Sequence, residues 1–231
     1  MRLIYESDAY LPIVNRIQKE EINEDFVELK YKPSPKDRFV LERDDSKAVF
    51  LSSTLNGSYH HVRSFSLDRT DPGLIFFSNK PYLAKHEVLN RILSDETIKP
   101  SNVILIGQHV LKKEDKEFID TFRLNYFSMK EISHEGCFEI SESIMAIARG
   151  FSALYVLIDS NVLKYPIVRS SWVAGLSTRE LIFFIQRFKQ LTDFHSAEFI
   201  VANSDARLAV KVLAELFVPD SGNSNLQTQG F

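Results

Sequence analysis

The stretch ALYVLIDSNVLKYPIVRSSWVAGLSTREL, residues 153–181, decides the fold class and indicates where a site would lie. Its apolar run over residues 154–158 is typical of a buried strand, and a polar break follows that strand directly. A loop then leads into a helix that opens at Ser177. In an α/β protein, ligands bind at the carboxyl ends of the strands. We therefore expect Asp159 and Asn161 to face a site.

The remainder of the chain repeats this alternation of buried strands and helices. Compact apolar runs, bounded by polar or turn residues, predict strands over residues 47–51, 74–77, 103–106 and 197–201. Shorter patterns predict further strands over 2–5, 26–31 and 126–127, and helices over 11–20, 57–67, 82–93, 114–122, 140–148, 178–190 and 205–217. Such alternation predicts an α/β fold, a three-layer α/β/α sandwich with a mostly parallel sheet. Residues 1–218 are expected to form a single domain, and the polar tail 219–231 is expected to be disordered.

Composition excludes several classes of protein. The chain of 231 residues has a net charge of −3 and no basic cluster on a predicted face, which argues against a nucleic-acid binder. No apolar run is long enough to span a membrane. The one cysteine, Cys137, excludes an internal disulfide and fits a reducing compartment. Because the N-terminus MRLIYESDAY also lacks the pattern of a signal peptide, we expect a cytoplasmic protein.

The opening stretch resembles the ureohydrolases, the family of arginase, agmatinase and formiminoglutamase. In that family a strand ends with Asp-x-Asp-x-x-Asp-Pro, and a loop then leads to Gly-Gly-Leu-Ser/Thr-x-Arg-Glu. The counterparts here are Asp159, Asn161 and Lys164, followed by Ala-Gly-Leu-Ser-Thr-Arg-Glu at residues 174–180. The resemblance extends over about residues 45–217 and implies an arginase-like fold.

Ureohydrolases bind two manganese ions through six ligands that lie on short motifs at strand ends, and the resemblance places these ligands on particular residues. Gly-Gly-Asp-His-Ser falls on residues 52–56, Asp-Ala-His-x-Asp falls on residues 78–82, and the two motifs have the separation that the family shows. The six ligand positions are Leu55, Ser78, Lys80, Tyr82, Asp159 and Asn161.

These six side chains do not suit a pair of manganese ions. Two ions about 3.5–4 Å apart need several carboxylate and imidazole ligands to hold them together. Asp159 is the one carboxylate among the six, and the ammonium group of Lys80 has no lone pair to donate. We therefore predict that the manganese of the family is lost here, that no cofactor replaces it, and that no catalytic residue of the family remains.

A fourth family motif, Asp-x-x-Glu-x-Asn-Pro, falls on residues 198–204. Its glutamate, which binds the guanidinium group of the substrate, corresponds to Val201, while Glu198 takes the place of the aspartate. His109 follows a strand end and Trp172 lies in a loop that borders the active-site mouth in the family. These four residues are predicted to line the pocket.

Lys80 and Asp159 are expected to project toward the same point from neighbouring strand ends. An unpaired Asp159 at the mouth of a dry sheet would be costly, so we predict an ion pair between the two. Such a pair either neutralises a former site or belongs to a site for a small anion or an amino acid. Adjacent histidines at positions 60 and 61 point in different directions on a helix and are predicted to have surface or capping roles.

Two functional hypotheses remain open from the sequence. In the first, the chain is a non-catalytic ureohydrolase homologue that binds, assembles or regulates, as a homo-oligomer or as the partner of a working ureohydrolase. In the second, it is a metal-independent enzyme or a small-ligand binder that uses Lys80 and Asp159, with Tyr82 and His109 nearby, since a lysine in a dry pocket can act as a base or a nucleophile. The sequence names neither a ligand nor an oligomer size.

Overall fold

A computed structural model describes residues 2–5, 8–19, 27–30, 48–109, 111–164, 175–201 and 206–217. The tail that was predicted to be disordered, residues 219–231, lies outside the described residues, and so does Trp172.

Eight strands form one sheet in the order β2-β1-β3-β8-β7-β4-β5-β6. Every pair of neighbouring strands is parallel. The predicted α/β/α class is confirmed, and the sheet is wholly parallel over its described ladders. The strands are β1 (Arg2–Tyr5), β2 (Val27–Lys30), β3 (Ala48–Ser52), β4 (Pro72–Phe77), β5 (Val103–Ile106), β6 (Asn125–Phe127), β7 (Ala153–Asp159) and β8 (Phe194–Ile200).

Helices cover both faces of the sheet. Side chains of α2, α3 and α4 pack into one hydrophobic cluster, and side chains of α1, α5, α6, α7 and α8 pack into the other. None of the helices in the described ranges is long and apolar enough to cross a membrane. The helices are α1 (Leu11–Lys19), α2 (Ser58–Ser66), α3 (Val88–Ser94), α4 (Lys113–Phe122), α5 (Met129–Glu135), α6 (Cys137–Ala148), α7 (Thr178–Lys189) and α8 (Ala206–Phe217).

The central strand β7 shows why its sequence is an unbroken apolar run. Leu154, Val156 and Ile158 belong to one hydrophobic cluster, and Tyr155 and Leu157 belong to the cluster on the opposite face. A parallel strand between two helical layers is buried on both sides, so hydrophobicity does not alternate along it. Polarity appears only where the strand ends, at the carboxyl edge of the sheet.

The Gly-Leu-Ser part of the opening stretch closes the fold after β7. A side chain at Gly175 would meet the backbone of residues 162–164 at 2.7–2.8 Å, so this close approach requires glycine. Leu176 then pairs with Leu163 as a parallel bridge. Ser177 caps α7, because its side chain accepts a hydrogen bond from the Glu180 backbone while the Glu180 carboxylate accepts one from the Ser177 backbone at 2.6 Å.

The structure corrects two of the predicted helices. The helix predicted over residues 82–93 begins only at Val88. Tyr82 and His86 have φ angles of 54° and 73°, which belong to the left-handed region and are incompatible with a helix. The helix predicted over 140–148 begins earlier, at Cys137, and it is preceded by α5, a helix that the sequence pattern does not indicate.

Candidate functional site

A cavity of about 630 Å³ lies at the carboxyl edge of the sheet. Residues 53–56, which follow β3, form one wall, and the segment after β4 forms another through Tyr82, residues 85–88 and Arg91. Asp159 and Asn161 from the end of β7, Ile200 from the end of β8, and Tyr59 of α2 complete it. The cavity therefore lies where the ends of parallel strands place a ligand site.

Asp159 lies at the floor of this cavity and is 1% exposed. Its carboxylate accepts a hydrogen bond from the Tyr82 hydroxyl at 2.5 Å. It also accepts two from Asn161, from the backbone N–H at 3.0 Å and from the side-chain amide at 2.9 Å. Burial raises the pKa of Asp159 above its ordinary value, and these hydrogen bonds offset only part of that effect. The protonated form is thus favoured relative to a solvated aspartate.

Tyr82 holds Asp159 from a backbone conformation that tyrosine seldom adopts, with φ at 54°. Burial raises the pKa of the Tyr82 hydroxyl, and the nearby charge of Asp159 adds to this effect, so the hydroxyl keeps its proton and acts as a donor. Non-glycine residues with positive φ angles are strained, and residues of this kind cluster at active sites and ligand-binding sites. The segment from Tyr82 to His86 is such a place, because both residues lie on the cavity wall.

The direct ion pair predicted between Lys80 and Asp159 is wrong. The ammonium nitrogen of Lys80 lies 3.1 Å from Glu87 Oε1 and 4.3 Å from the centre of the Tyr82 ring. The side chain of Lys80 is 54% exposed. Tyr82, rather than Lys80, supplies the donor to Asp159, and Lys80 affects the pKa of Asp159 only as the smallest of several influences.

The other predicted ligand positions divide between the cavity and the layer beneath it. Leu55 and Asn161 lie on the cavity wall. Ser78 is buried, and its hydroxyl accepts a hydrogen bond from the Gln108 side-chain amide at 3.1 Å. This contact joins the end of β4 to the end of β5 and serves the packing of the sheet edge.

Two of the predicted pocket residues lie away from the cavity wall. Val201 is 8% exposed, and its backbone binds back into the sheet by donating to Ser52 and accepting from the Ser160 hydroxyl. His109 is half-buried and its backbone N–H donates to Asn79. Burial lowers the pKa of His109, which favours the neutral ring.

Glu198 is predicted to line the pocket, but it is wholly buried on β8, two residues before the cavity-lining Ile200. Oε1 accepts hydrogen bonds from the hydroxyls of Ser52 and Ser58 at 2.7 and 3.0 Å, and it lies 3.1 Å from His61 Nδ1. Oε2 accepts from the Tyr155 hydroxyl at 2.9 Å. We call these five residues the Glu198 cluster.

The Glu198 cluster keeps its carboxylate ionised in the core. Burial alone would raise the pKa of Glu198, but the attraction of His61 and the hydrogen bonds from His61, Ser52 and Tyr155 outweigh it and lower that pKa. Burial and the Glu198 charge raise the pKa of Tyr155, so this hydroxyl stays a donor. His61 is 1% exposed and stacks on a phenylalanine ring, so the surface role predicted for it is wrong.

The Glu198 cluster also fixes one wall of the cavity. Ser52 ends β3 and Ser58 begins α2, so both ends of the loop over residues 53–57 are bound to the same carboxylate oxygen. Residues 53–56 of that loop face the cavity. The cluster therefore determines the position of the wall without touching the cavity itself.

The side chains at the predicted ligand positions do not fit a pair of manganese ions. Leu55 offers no donor atom, and the carboxylate of Asp159 already accepts three hydrogen bonds. Across the ranges that the structure describes, no group of three or more histidine, cysteine, aspartate or glutamate side chains is arranged to hold a metal ion.

Fold and cavity together define an α/β/α protein whose site lies at the carboxyl ends of parallel strands, as in many enzymes and binding proteins. The model of the arginase family matches residues 77–218, which is more than half of the chain, and the chain belongs to this family. It lacks most of the manganese ligands of the family motifs, as the sequence comparison predicted.

Known relatives agree with this assignment. An arginase of Staphylococcus aureus is 27% identical over 116 residues, which cover 48% of this chain and 38% of that protein. This match therefore spans well under half of the relative's length. The crystal structure of arginase from Bacillus cereus superimposes with a TM-score of 0.78 at 18% identity and covers 94% of this chain and 98% of that one. Formimidoylglutamase from Bacillus subtilis gives a TM-score of 0.76 at 14% identity, with 94% and 85% covered.

Proposed function

We propose that this chain is a non-catalytic member of the arginase family, whose cavity serves binding or regulation instead of hydrolysis. The observation that carries the proposal is the 2.5 Å hydrogen bond from Tyr82 to Asp159. By the family resemblance both residues stand at ligand positions. In this chain Tyr82 donates a hydrogen bond to Asp159, so a side chain of the protein already binds this carboxylate.

The chemistry of the neighbouring residues supports the same conclusion. The hydrolysis of a guanidino group by this family needs a metal-bound hydroxide and a carboxylate that grips the substrate. Leu55 has no lone pair to offer a metal, and Val201 offers no carboxylate to a guanidinium group. A buried Asp159 with a raised pKa is also a poor partner for a cation.

The alternative hypothesis, that the chain is an enzyme that uses Lys80 without a metal, has less support. A lysine that acts as a base or a nucleophile requires a dry pocket that disfavours its charged form. Lys80 is more than half exposed and is paired with the Glu87 carboxylate. The small-ligand version of this alternative is favoured by the cavity itself, whose volume lies in the range of about 300–1,000 Å³ that is usual for ligand pockets.

Assembly belongs to the same proposal. Ureohydrolases, which the sequence resembles, form oligomers, so we propose a homo-oligomer or a complex with a catalytically active ureohydrolase in the cytoplasm. Light scattering coupled to gel filtration measures the mass of the purified chain. A strictly monomeric protein that also fails to bind a co-expressed arginase would contradict this part of the proposal.

The decisive experiment measures metal content and activity on one sample. The full chain is incubated with manganese, desalted, and analysed for metal, and urea release from arginine and agmatine is assayed in parallel. We expect no stoichiometric manganese and no urea. About two manganese ions per chain together with urea release would overturn the proposal, since two ions are what the family mechanism requires.

A variant that restores the family ligands provides the matched positive control. It combines Leu55→His, Ser78→Asp, Lys80→His, Tyr82→Asp and Asn161→Asp. If these residues stand at the ligand positions, the variant gains manganese that the native chain does not bind. Circular dichroism checks that the variant is folded, and a folded variant without manganese would show that the ligand positions are misplaced.

A further inference from the structure

The cavity wall carries two cationic side chains, those of Arg91 and Lys85. The guanidinium carbon of Arg91 lies 3.7 Å over the centre of the Tyr59 ring, and Arg91 lies on the wall. Lys85 is exposed on the same wall. Within the described ranges, neither side chain forms an ion pair with a carboxylate.

Stacking on Tyr59 prepares Arg91 for a ligand. A guanidinium group that lies flat on an aromatic ring keeps the N–H groups along its edge, and these match the two oxygens of a carboxylate or a phosphate. The Tyr59 ring is itself held in place, because its hydroxyl donates to Asp95 and accepts from Arg63 at 3.2 Å. The ring therefore holds the guanidinium in place before any ligand arrives.

The acidic groups of the wall, in contrast, are already engaged. Asp159 accepts three hydrogen bonds. Glu87 accepts one from Lys80 at 3.1 Å and one from the Ala84 backbone N–H at 2.9 Å. A cationic ligand would thus meet Arg91 and Lys85 and would compete with donors already bound to both wall carboxylates, whereas an anionic ligand would meet two cations that have no carboxylate partner within the described ranges.

Apolar surface completes the wall. Leu55, Val88 and Ile200 line the same cavity, together with Tyr59. Pockets for small organic molecules combine such apolar walls with a few polar groups that fix orientation. The ligand that suits this wall therefore has a carbon skeleton as well as a charged group.

We propose that the cavity binds a small organic anion, whose carboxylate or phosphate group is held by Arg91 and Lys85 and whose carbon skeleton packs against Leu55, Val88 and Ile200. This inference rests on the proposed function, because a working metal site at Asp159 would make the cavity a site for guanidinium groups. The cavity would then prefer an anion, whereas arginase chemistry requires a site that prefers a guanidinium cation.

Three probes of nearly the same shape test the charge preference. Benzoate carries a carboxylate on a phenyl ring, phenyl phosphate carries a phosphate, and benzamidine carries an amidinium cation. Each is titrated into the full chain at constant ionic strength, and binding is followed by calorimetry and by the midpoint of thermal unfolding. We expect one or both anions to bind and to raise the midpoint, with the stronger of them identifying the anionic group, and benzamidine to have no effect.

Substitutions locate the binding groups. Arg91→Gln is expected to weaken the anion about tenfold or more, because a charged hydrogen-bonded pair is lost. Arg91→Lys keeps the charge without the paired N–H groups, so its affinity for the anion should lie between those of the native chain and Arg91→Gln. Lys85→Gln should weaken anion binding less than Arg91→Gln does. Arg149→Gln, at the opposite end of the sheet just before β7, is the matched control and should bind as the native chain does.

Each outcome decides something. The inference is overturned if benzamidine binds better than both anions, if neither anion binds, or if folded Arg91→Gln and Lys85→Gln variants bind the anion as the native chain does. If Arg91→Gln does not fold, the exposed Lys85 provides the test. Manganese and urea, measured on the same sample, report separately on the proposed function: a metal-free chain without anion binding contradicts this inference alone.

Discussion

Two buried carboxylates on neighbouring strands have pKa values that are shifted in opposite directions. Asp159 ends β7 at the cavity floor and has a raised pKa, whereas Glu198, on the adjacent strand β8, has a lowered pKa although it is wholly buried. Burial raises the pKa in both cases, so the difference comes from their partners. Glu198 receives donors from β3, α2 and β7. Asp159 receives them from a loop tyrosine and from its own strand end.

The comparison separates what holds the fold from what remains of a site. Ser52, Ser58 and Tyr155 are packed in the core, so the donors of Glu198 are in place whenever the protein is folded. Tyr82 reaches Asp159 from a segment with an unfavourable backbone angle. We infer that Glu198 stabilises the fold, whereas Asp159 contributes little to its stability.

The largest effect is expected from Glu198→Ala. The substitution leaves three hydroxyls and an imidazole buried without their shared acceptor, and breaking a buried network of this kind costs about 3–5 kcal/mol in unfolding free energy. Urea denaturation measures it. The matched control is Glu117→Gln, which removes an exposed ion pair of 3.7 Å on α4 and should change stability by less than about 0.5 kcal/mol. Equal effects of the two substitutions would show that Glu198 is not a structural centre.

The stability that Glu198 provides depends on pH in a defined direction. Its pKa in the folded state lies below the ordinary value, so the contribution is complete at any pH above that ordinary value. It is lost as the pH falls through the lower folded value. The difference between the native chain and Glu198→Gln should therefore narrow in acid.

Tyr155→Phe is expected to have the second largest effect. It removes the hydroxyl that donates to Oε2 of Glu198 and leaves a buried charge partly uncompensated, which costs about 1–3 kcal/mol. A double-mutant cycle with Glu198→Gln isolates the contact. If Tyr155→Phe costs the same with and without the carboxylate, its effect comes from packing alone and the hydrogen bond contributes nothing.

The sequence was informative about the fold because the sheet is buried on both faces. The strand predicted over 103–106 agrees with β5 residue for residue, and the prediction for β7 differs by one residue at each end. The helix predicted over 82–93 failed in its first half. Apolar spacing there is helical, but periodicity carries no information about the positive φ angles of Tyr82 and His86.

The site was predictable only where position along the chain determines position in space. Asp159 follows a buried strand, so its place at the carboxyl edge could be inferred directly. The role of Glu198 could not, because its donors come from three distant segments of the chain. A lone glutamate inside the apolar run SAEFIV was the one available indication. Lys80 was assigned to Asp159 by strand-end geometry, which does not determine where a long side chain points.

Tyr82→Phe should have a smaller effect than either core substitution. It keeps the ring beside Lys80 and removes only the hydroxyl that donates to Asp159, for a cost of about 1 kcal/mol. That hydrogen bond lowers the pKa of Asp159, so the substitution should raise this pKa further. Carbon-detected NMR titration of the Asp159 carboxyl measures the shift. An unchanged or lowered pKa would mean that the hydrogen bond does not form in solution.

Asp159→Asn is expected to have the smallest effect, and the pH dependence should have the opposite sign to that of Glu198. The folded pKa of Asp159 lies above its unfolded value, so the ionised carboxylate opposes folding once the pH exceeds the unfolded value, and this cost is complete above the folded value. Asparagine avoids that cost, keeps an oxygen for Asn161, and should change stability at neutral pH by less than about 0.5 kcal/mol, in the stabilising direction. As the pH falls and Asp159 becomes protonated, this advantage should disappear. A loss of several kcal/mol, comparable to that expected for Glu198→Ala, would mean that the carboxylate at the cavity floor is as much a part of the scaffold as the one in the core.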